Sequence, residues 1–120
     1  MRETLAIAKA LSDESRLRAL VAVKGGELCL CQLIRVLDLA PATVSKHMNL
    51  LQQAGLVERT RQGKWRFYRL ASGSKSRIVR RALGWVLEEV GGDPKLSDDA
   101  RKIRKVRRQD LEELSACYRS

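Results

Sequence analysis

The stretch PATVSKHMNLLQQAGLV, residues 41–57, decides the fold of this chain. Pro41 suits the first turn of a helix, where the N–H that proline lacks would have no partner inside the helix. The apolar positions after it recur at steps of four, three and three residues and share one helix face: Val44, Met48, Leu51 and Ala54. Gly55 is typical of the position just past a helix end, and Leu56 can make the apolar contact beyond it. The stretch therefore predicts an amphipathic helix that ends at Gly55.

After this helix the sequence takes on the pattern of a β-hairpin. Residues 57–61 are predicted to form a strand, residues 62–64 (Gln-Gly-Lys) a tight turn, and residues 65–70 the returning strand. Four arginines make the hairpin strongly basic: Arg59, Arg61, Arg66 and Arg69. A basic hairpin directly after a helix-turn-helix is the arrangement of a winged DNA-binding domain.

Two further helices are predicted after the hairpin. Residues 75–90 have apolar side chains at helical spacing, and residues 91–94 (Gly-Gly-Asp-Pro) form the clearest linker in the chain. The tail from about Ser97 to Cys117 also has a helical pattern, with a thinner apolar stripe. We therefore divide the chain into a DNA-binding domain, residues 1–92, and a basic C-terminal extension, residues 93–120.

Three helices are predicted before the deciding stretch. Residues 3–11 form the first, and the second begins at Ser12 or Asp13, with Ser12 as the capping residue, and ends at the glycines 25 and 26. Residues 27–37 form a short third helix. The predicted fold class is mainly α with a β-hairpin wing: a winged helix-turn-helix with additional N- and C-terminal helices.

The charge of the chain is concentrated around the predicted reading elements. The 120 residues carry a formal net charge of +10, and residues 41–90 alone hold ten Lys and Arg against three Asp and Glu. Excess positive charge that coincides with a DNA-binding motif predicts double-stranded DNA as the partner. Two alternatives stay open: basic residues that only keep a small protein soluble, and a structural nucleoid protein that binds DNA without sequence preference.

Other classes of protein lack support in the sequence. No apolar run is long enough to span a bilayer, and the N-terminus has no signal-peptide pattern, so we expect a cytoplasmic protein that does not associate with membranes. The sequence shows no phosphate-binding loop, no paired carboxylates with a plausible base, and no Cys–His dyad with an orienting group. We therefore predict that the chain is not an enzyme and has no catalytic cofactor.

Several segments together resemble one family, the ArsR/SmtB metal- and arsenical-responsive repressors. The resemblance covers roughly residues 3–90, and its motifs occur in the family's order. They are LSDESRLRAL (11–20), ELCLCQL (27–33), TVSKHM (43–48), LLQQAGLV (50–57), QGKW (62–65) and YRL (68–70). The resemblance implies a homodimer joined through the first and the late helices, and repression by operator binding that an inducer relieves. The tail after Pro94 is outside the shared pattern.

The candidate DNA contacts lie on the second helix of the motif and on the wing. Helix-turn-helix proteins read base edges with the N-terminal part of this recognition helix, which here offers Thr43, Ser45, Lys46, His47 and Asn49. Ser45 and Asn49 suit base reading, and Lys46 suits either a base or a phosphate. The wing adds further contacts to phosphate or to the minor groove: Arg59, Arg61 and Lys64.

The candidate sensor residues are the three cysteines. Cys29 and Cys31 fall in the segment that resembles the family's metal-binding box, and thiolates suit As(III), Sb(III), Cd, Pb or Zn. As(III) takes three thiolates, and the family's box often has a third cysteine three residues after the second, where this chain has Ile34. Cys117 is the candidate replacement, from the same or the other subunit; the alternative is a tail cysteine that binds no metal. Residues two apart point about 200° apart on a regular helix. We therefore expect a distorted helix start if both thiols bind one ion.

Two other interpretations of the cysteines remain. Cys29 and Cys31 can be small, half-buried residues at a helix start, or they can form a redox-sensitive dithiol, although a disulfide between residues so close in sequence is strained. The sequence therefore predicts a transcriptional repressor released by arsenite or a similar thiophilic metal(loid), with a repressor that senses redox state or another non-metal signal as the alternative.

Overall fold

A computed structural model describes residues 1–116. Its helices and strands follow in this order: α1 (Arg2–Leu11), α2 (Glu14–Lys24), β1 (Leu28–Cys29), α3 (Leu30–Leu37), α4 (Pro41–Gln53), β2 (Val57–Gln62), β3 (Trp65–Leu70), α5 (Arg77–Val90), a single 3₁₀ turn (Pro94–Leu96), α6 (Ser97–Val106) and α7 (Leu111–Ala116). The three strands form an antiparallel sheet in the order β1-β3-β2. The predicted mainly α fold with a hairpin wing is confirmed.

The recognition helix α4 has the predicted buried face and the predicted end. Val44, Met48 and Leu51 are fully buried in the main core. Gly55 has a φ of +79°, which costs a glycine little, and its N–H closes the helix on the Gln52 carbonyl at 2.9 Å. This core fixes α4 at the surface with its polar face outward.

The start of α2 differs from the prediction. Asp13, not Ser12, caps the helix, and its carboxylate accepts the Arg16 N–H at 3.1 Å. Ser12 belongs to the end of α1, where its hydroxyl donates to the Lys9 carbonyl at 2.7 Å. Both side chains bond backbone groups that have no partner inside a helix: Ser12 at the end of α1 and Asp13 at the start of α2.

The prediction of a helix over residues 27–37 was wrong for the first three residues. Leu28 and Cys29 are extended and pair with Tyr68 and Phe67 of the wing strand β3, and α3 begins only at Leu30. The pairing with β3 satisfies backbone groups that a helical turn would otherwise have used. The wing is therefore attached by backbone hydrogen bonds to the residues that lead into α3.

The predicted tail helix is divided into two helices that fold back on α3. α6 ends at Val106 and α7 begins at Leu111. Val106 and Leu114 are fully buried in a second apolar cluster, together with Cys29, Cys31 and Val36. Among residues 1–116, no helix is long and apolar enough to cross a membrane.

A partly buried ion pair fastens α6 to the body. The Arg18 guanidinium donates to both oxygens of Asp99 at 2.8 and 2.9 Å. It also donates to the Val36 and Leu37 carbonyls at the end of α3. The side chains of Arg18 and Asp99 are only 24% and 7% exposed. Asp98, next to Asp99, instead forms exposed ion pairs within α6.

We expect Asp99→Ala to lower the free energy of unfolding by about 1–3 kcal/mol, because it leaves the half-buried Arg18 guanidinium without its carboxylate. The matched control Asp98→Ala removes only exposed pairs and should cost less than about 1 kcal/mol. Urea unfolding followed by circular dichroism measures both values. Equal losses in the two variants would contradict a special role for the Arg18–Asp99 pair.

Candidate DNA interface and thiol site

The recognition helix presents its predicted polar residues to solvent. Thr43 and Lys46 are exposed, and Ser45, His47 and Asn49 are partly exposed, on the side of α4 opposite to the buried Val44 and Met48. α4 begins at Pro41 without a side-chain cap, so the first N–H groups of the helix are not occupied by a capping side chain. Such an end attracts anions, including phosphate.

His47 is fixed by a contact that the sequence analysis missed. Arg16 donates to the Ala10 and Lys9 carbonyls at 2.7 and 3.2 Å, and its third contact is His47 Nδ1 at 3.1 Å. A guanidinium has only donors, so Nδ1 is the acceptor and the proton of the neutral ring is on Nε2. Arg16 of α2 thus links α4 to the end of α1, and Nε2–H is left as the donor of the ring.

The wing carries its basic residues on exposed positions. Arg59, Arg61 and Lys64 are all exposed, and Gly63, with a φ of +61°, forms the predicted tight turn. The Arg61 guanidinium donates to the Gly63 carbonyl at 3.3 Å. The Lys64 ammonium lies 4.9 Å from the centre of the Trp65 ring and 2.5 Å from a Glu112 carboxylate oxygen of α7. The contact between the wing and α7 was not predicted.

The two cysteines of the predicted box meet without unwinding of the helix. Cys29 precedes α3 in extended backbone, with φ −73° and ψ 154°, and Cys31 lies in the first turn. The Cys31 thiol donates to the Cys29 sulfur over 3.2 Å. The sequence prediction placed both residues inside a helix and required its start to be distorted; in the structure the segment predicted as the helix start is extended at Leu28 and Cys29, and α3 begins after them.

This arrangement makes the two thiols chemically unequal. The hydrogen bond from the Cys31 thiol lowers the pKa of Cys29 to about 7, helped by backbone N–H groups that include that of Arg66, although burial acts in the opposite direction. The same hydrogen bond, together with burial, raises the pKa of Cys31. Cys29 is therefore the thiol of the pair that loses its proton first, and thiolates are the form that binds soft metals.

The thiol pair lies beside a cavity between three parts of the chain. The cavity has a volume of about 540 Å³. Its lining includes the two cysteines and Ile34 from α3, Lys64 and Trp65 from the wing, and Ser115 from α7. The two cysteines themselves are 1% and 6% exposed. A ligand bound here would contact the two cysteines, the wing and the extension at once.

Gln32 connects the thiol pair to the extension, and the sequence analysis missed it. Its side-chain oxygen accepts the Cys29 N–H at 2.7 Å, and its amide group donates to the Val106 carbonyl at 3.3 Å. Gln32 is buried, so the loss of either bond would leave a polar group unsatisfied. The available signal was its place three residues after the capping residue, where Gln commonly reaches back to the helix start.

The predicted third ligand, Cys117, lies outside the described residues. Within residues 1–116, no three His, Cys, Asp and Glu side chains are grouped as a metal site. Ser115, two residues before Cys117 in the sequence, lines the cavity that holds both thiols. The end of α7 is thus directed to the same place as Cys29 and Cys31.

Comparisons with known proteins agree on one family. The model of the bacterial regulatory proteins of the arsR family matches residues 13–59. An arsenic resistance transcriptional regulator of Pseudomonas putida is 39% identical over 74 residues, which are 58% of this chain and 58% of that protein. An uncharacterized helix-turn-helix transcriptional regulator of Methanocaldococcus jannaschii is 33% identical over 75 residues, 62% of this chain and 84% of that one. The chain thus spans little more than half of its Pseudomonas relative.

A solved structure supports the same fold. The homodimeric winged helix-turn-helix DNA-binding domain of a possible ArsR-family transcriptional regulator from Mycobacterium bovis superposes with a TM-score of 0.63 and 25% identity. The superposition covers 78% of this chain and 82% of that domain. Both kinds of comparison point to a DNA-binding transcriptional regulator and not to an enzyme.

Proposed function

The chain belongs to the arsR family of bacterial regulatory proteins, and on that basis we propose that it is a dimeric repressor released from operator DNA by arsenite or a similar thiophilic metal(loid). The observation that carries the proposal is the pair of Cys29 and Cys31 sulfurs, 3.2 Å apart and beside a cavity. Two sulfurs bound to one ion at about 2.3 Å each lie at most about 4.6 Å apart, so this pair suits a single ion.

Arsenite binding requires a third thiolate in addition to this pair. We assign it to Cys117, because Ser115 lines the cavity and Cys117 follows two residues later. In the reaction, each of three thiols gives its proton to one hydroxyl of As(OH)₃. Three As–O bonds break, three As–S bonds form, and three waters leave. Sb(III) reacts in the same way, whereas Cd, Pb and Zn bind the thiolates directly.

The DNA partner is supported by the position of the reading elements. With α4 in the major groove, Ser45 and Asn49 face base edges, Thr43, Lys46 and His47 lie beside them, and the wing follows the backbone. We assign phosphate or minor-groove contacts to Arg59, Arg61 and Lys64. We take residues 1–92 as the DNA-binding and dimerisation domain and residues 93–120 as an extension, of which α6 and α7 lie over the proposed sensor site.

We propose that α1 and α5 form the dimer interface. Large apolar side chains stay exposed on these two helices, which pack against each other: Leu5 at 60% and Trp85 at 61%. A second copy of the chain would cover them, and the Mycobacterium domain that superposes on this fold is homodimeric. Interface energy concentrates in such large aromatic residues.

We expect Trp85→Glu to weaken dimerisation by more than about tenfold, because a charge would replace an aromatic residue at the interface. Sedimentation equilibrium at micromolar protein concentration measures the association. Arg80→Glu, at an exposed position on another side of α5, is the control and should leave the dimer intact. A Trp85→Glu protein that is as dimeric as the wild type would exclude this face as the interface.

The direct test of the function uses operator DNA selected from a random-sequence pool by repeated rounds of binding. The wild type should prefer the selected duplex to random DNA by about a thousandfold or more, and arsenite should release it. Fluorescence anisotropy follows both. Equal binding to selected and random duplex would instead favour a nucleoid protein, and selective binding that arsenite leaves unchanged would exclude the proposed inducer.

A redox-sensing repressor is the second candidate, favoured by the same short distance between the sulfurs. One peroxide would take two electrons and two protons from the thiols, giving one S–S bond and two waters. The two functions differ in a parallel titration of the DNA complex with peroxide and with arsenite. Release by peroxide alone would favour the redox sensor, and release by arsenite alone the metalloid sensor.

A further inference from the structure

We propose that α7 is an inhibitory arm that lowers DNA binding by the wing. Its Glu112 carboxylate pairs with the Lys64 ammonium, which would otherwise bind a DNA phosphate. The two groups are 2.5 Å apart. Lys64 lies at the wing tip, next to the tight turn at Gly63. A carboxylate on this ammonium and a phosphate oxygen from DNA are alternative partners for the same charge.

The charge of α7 fits the role of a phosphate competitor. Residues 110–116 contain three acidic residues, Asp110, Glu112 and Glu113, and no Lys or Arg, although the extension as a whole is basic. The wing opposite is strongly basic: its two strands and turn carry five Lys and Arg residues against one acidic residue, Glu58. Docked acidic side chains both neutralise the wing tip and repel the DNA backbone.

The position of α7 is held by contacts that are independent of the ion pair. Leu114 is 1% exposed in the cluster that also contains Cys29 and Cys31. Gln32 ties the end of α6 to the Cys29 backbone, and Arg107 donates to the Gly26 carbonyl at 3.1 Å. These apolar and backbone contacts place α7 beside the wing, so DNA has to compete with Glu112 for the Lys64 ammonium.

The regulation of this arm rests on the thiol-sensing function proposed above. Cys117 follows Ala116 at the end of α7, and Cys29 and Cys31 lie under the helix. A metalloid shared by the three thiolates would tie α7 to the thiol pair. It would thereby hold Glu112 against Lys64 and shift the chain toward the form with lower DNA affinity.

The test compares two neighbouring charge-neutral substitutions, Glu112→Gln and Glu113→Gln. They change the net charge equally, and only Glu112 touches the wing lysine. Without inducer, we expect Glu112→Gln to bind the selected operator duplex about two- to fivefold more tightly than Glu113→Gln at low salt, the range for an exposed ion pair. The difference should disappear at about 1 M salt because exposed charges are then screened.

A Lys64→Gln background makes the test specific. Glu112→Gln should give no gain over Glu113→Gln there, because the ammonium that Glu112 holds is gone. Equal affinities of the two variants in the wild-type background, or a gain that persists with Lys64→Gln, would overturn the proposal. These measurements need no inducer, so their outcome does not depend on whether the protein senses arsenite. If arsenite releases the wild type, the release should need more arsenite in Glu112→Gln.

Discussion

The variant with both Cys29→Ser and Cys31→Ser should no longer leave operator DNA when arsenite is added. The two sulfurs supply two of the three proposed thiolates, and they are 3.2 Å apart in the described structure. Removal of a residue that only hydrogen-bonds to a metal ligand already costs about 10–100-fold in metal affinity. Removal of two ligands should therefore raise the arsenite concentration for half-release by more than about 100-fold. Fluorescence anisotropy of the DNA complex measures this concentration.

The operator affinity of the same variant in the absence of arsenite is its control. Neither cysteine is among the proposed DNA contacts, and serine is close to cysteine in shape, so the affinity should stay within about twofold of the wild type. Cys117→Ser gives a graded comparison: two thiolates remain, and arsenite should still bind, but more weakly. Unchanged arsenite release from the doubly substituted protein would exclude Cys29 and Cys31 as the sensor.

The sequence predicted the elements whose pattern is local. The buried face of α4, its end at Gly55 and the turn at Gly63 follow from spacing and from glycine conformation, and all three were confirmed. The family membership that the motifs implied was confirmed as well. Local periodicity is sufficient here because each of these features depends on residues within a few positions of one another.

The thiol site depended on contacts between distant residues, and its geometry was therefore not predicted. The backbone of Cys29 is extended because it pairs with Phe67, 38 positions later in the chain. Its burial comes from Val106 and Leu114, which are farther still. No spacing within ELCLCQL encodes these partners. The sequence marked Cys29 and Cys31 as candidate sensor residues, whereas it could not predict their relative position or the helices that bury them.

The same reasoning applies to the extension. Its thin apolar stripe predicted a helix but not the surface against which the helix packs. Asp99 forms an ion pair with Arg18, 81 positions earlier in the chain, and Glu112 with Lys64, 48 positions earlier. Such pairs join residues that are distant in the sequence, so local spacing does not predict how α6 and α7 dock. The division at residues 92 and 93 stays a prediction, and the contacts of α6 and α7 with α3 give the extension a structural connection to the sensor.

Asn49→Ala and Arg61→Gln should weaken operator binding in two different ways. Asn49 is partly exposed on α4 and is proposed to read a base, so its loss should cost about 1–3 kcal/mol, or roughly 5–150-fold, on the selected duplex alone. Arg61 is exposed on the wing and is proposed to contact a phosphate. Its loss should weaken binding to selected and random duplex by the same factor.

Salt dependence distinguishes the two roles independently of affinity. Each phosphate that a protein neutralises adds about 0.9 to the slope of log K against log salt concentration. Arg61→Gln should therefore reduce the slope by about one, and Asn49→Ala should leave it unchanged. Gln53→Ala, at an exposed position at the end of α4, is the control and should change neither quantity. An Asn49→Ala protein that loses affinity equally for both duplexes would show that Asn49 does not read the sequence. Specificity would then have to come from Ser45, Lys46 or another residue of the helix face.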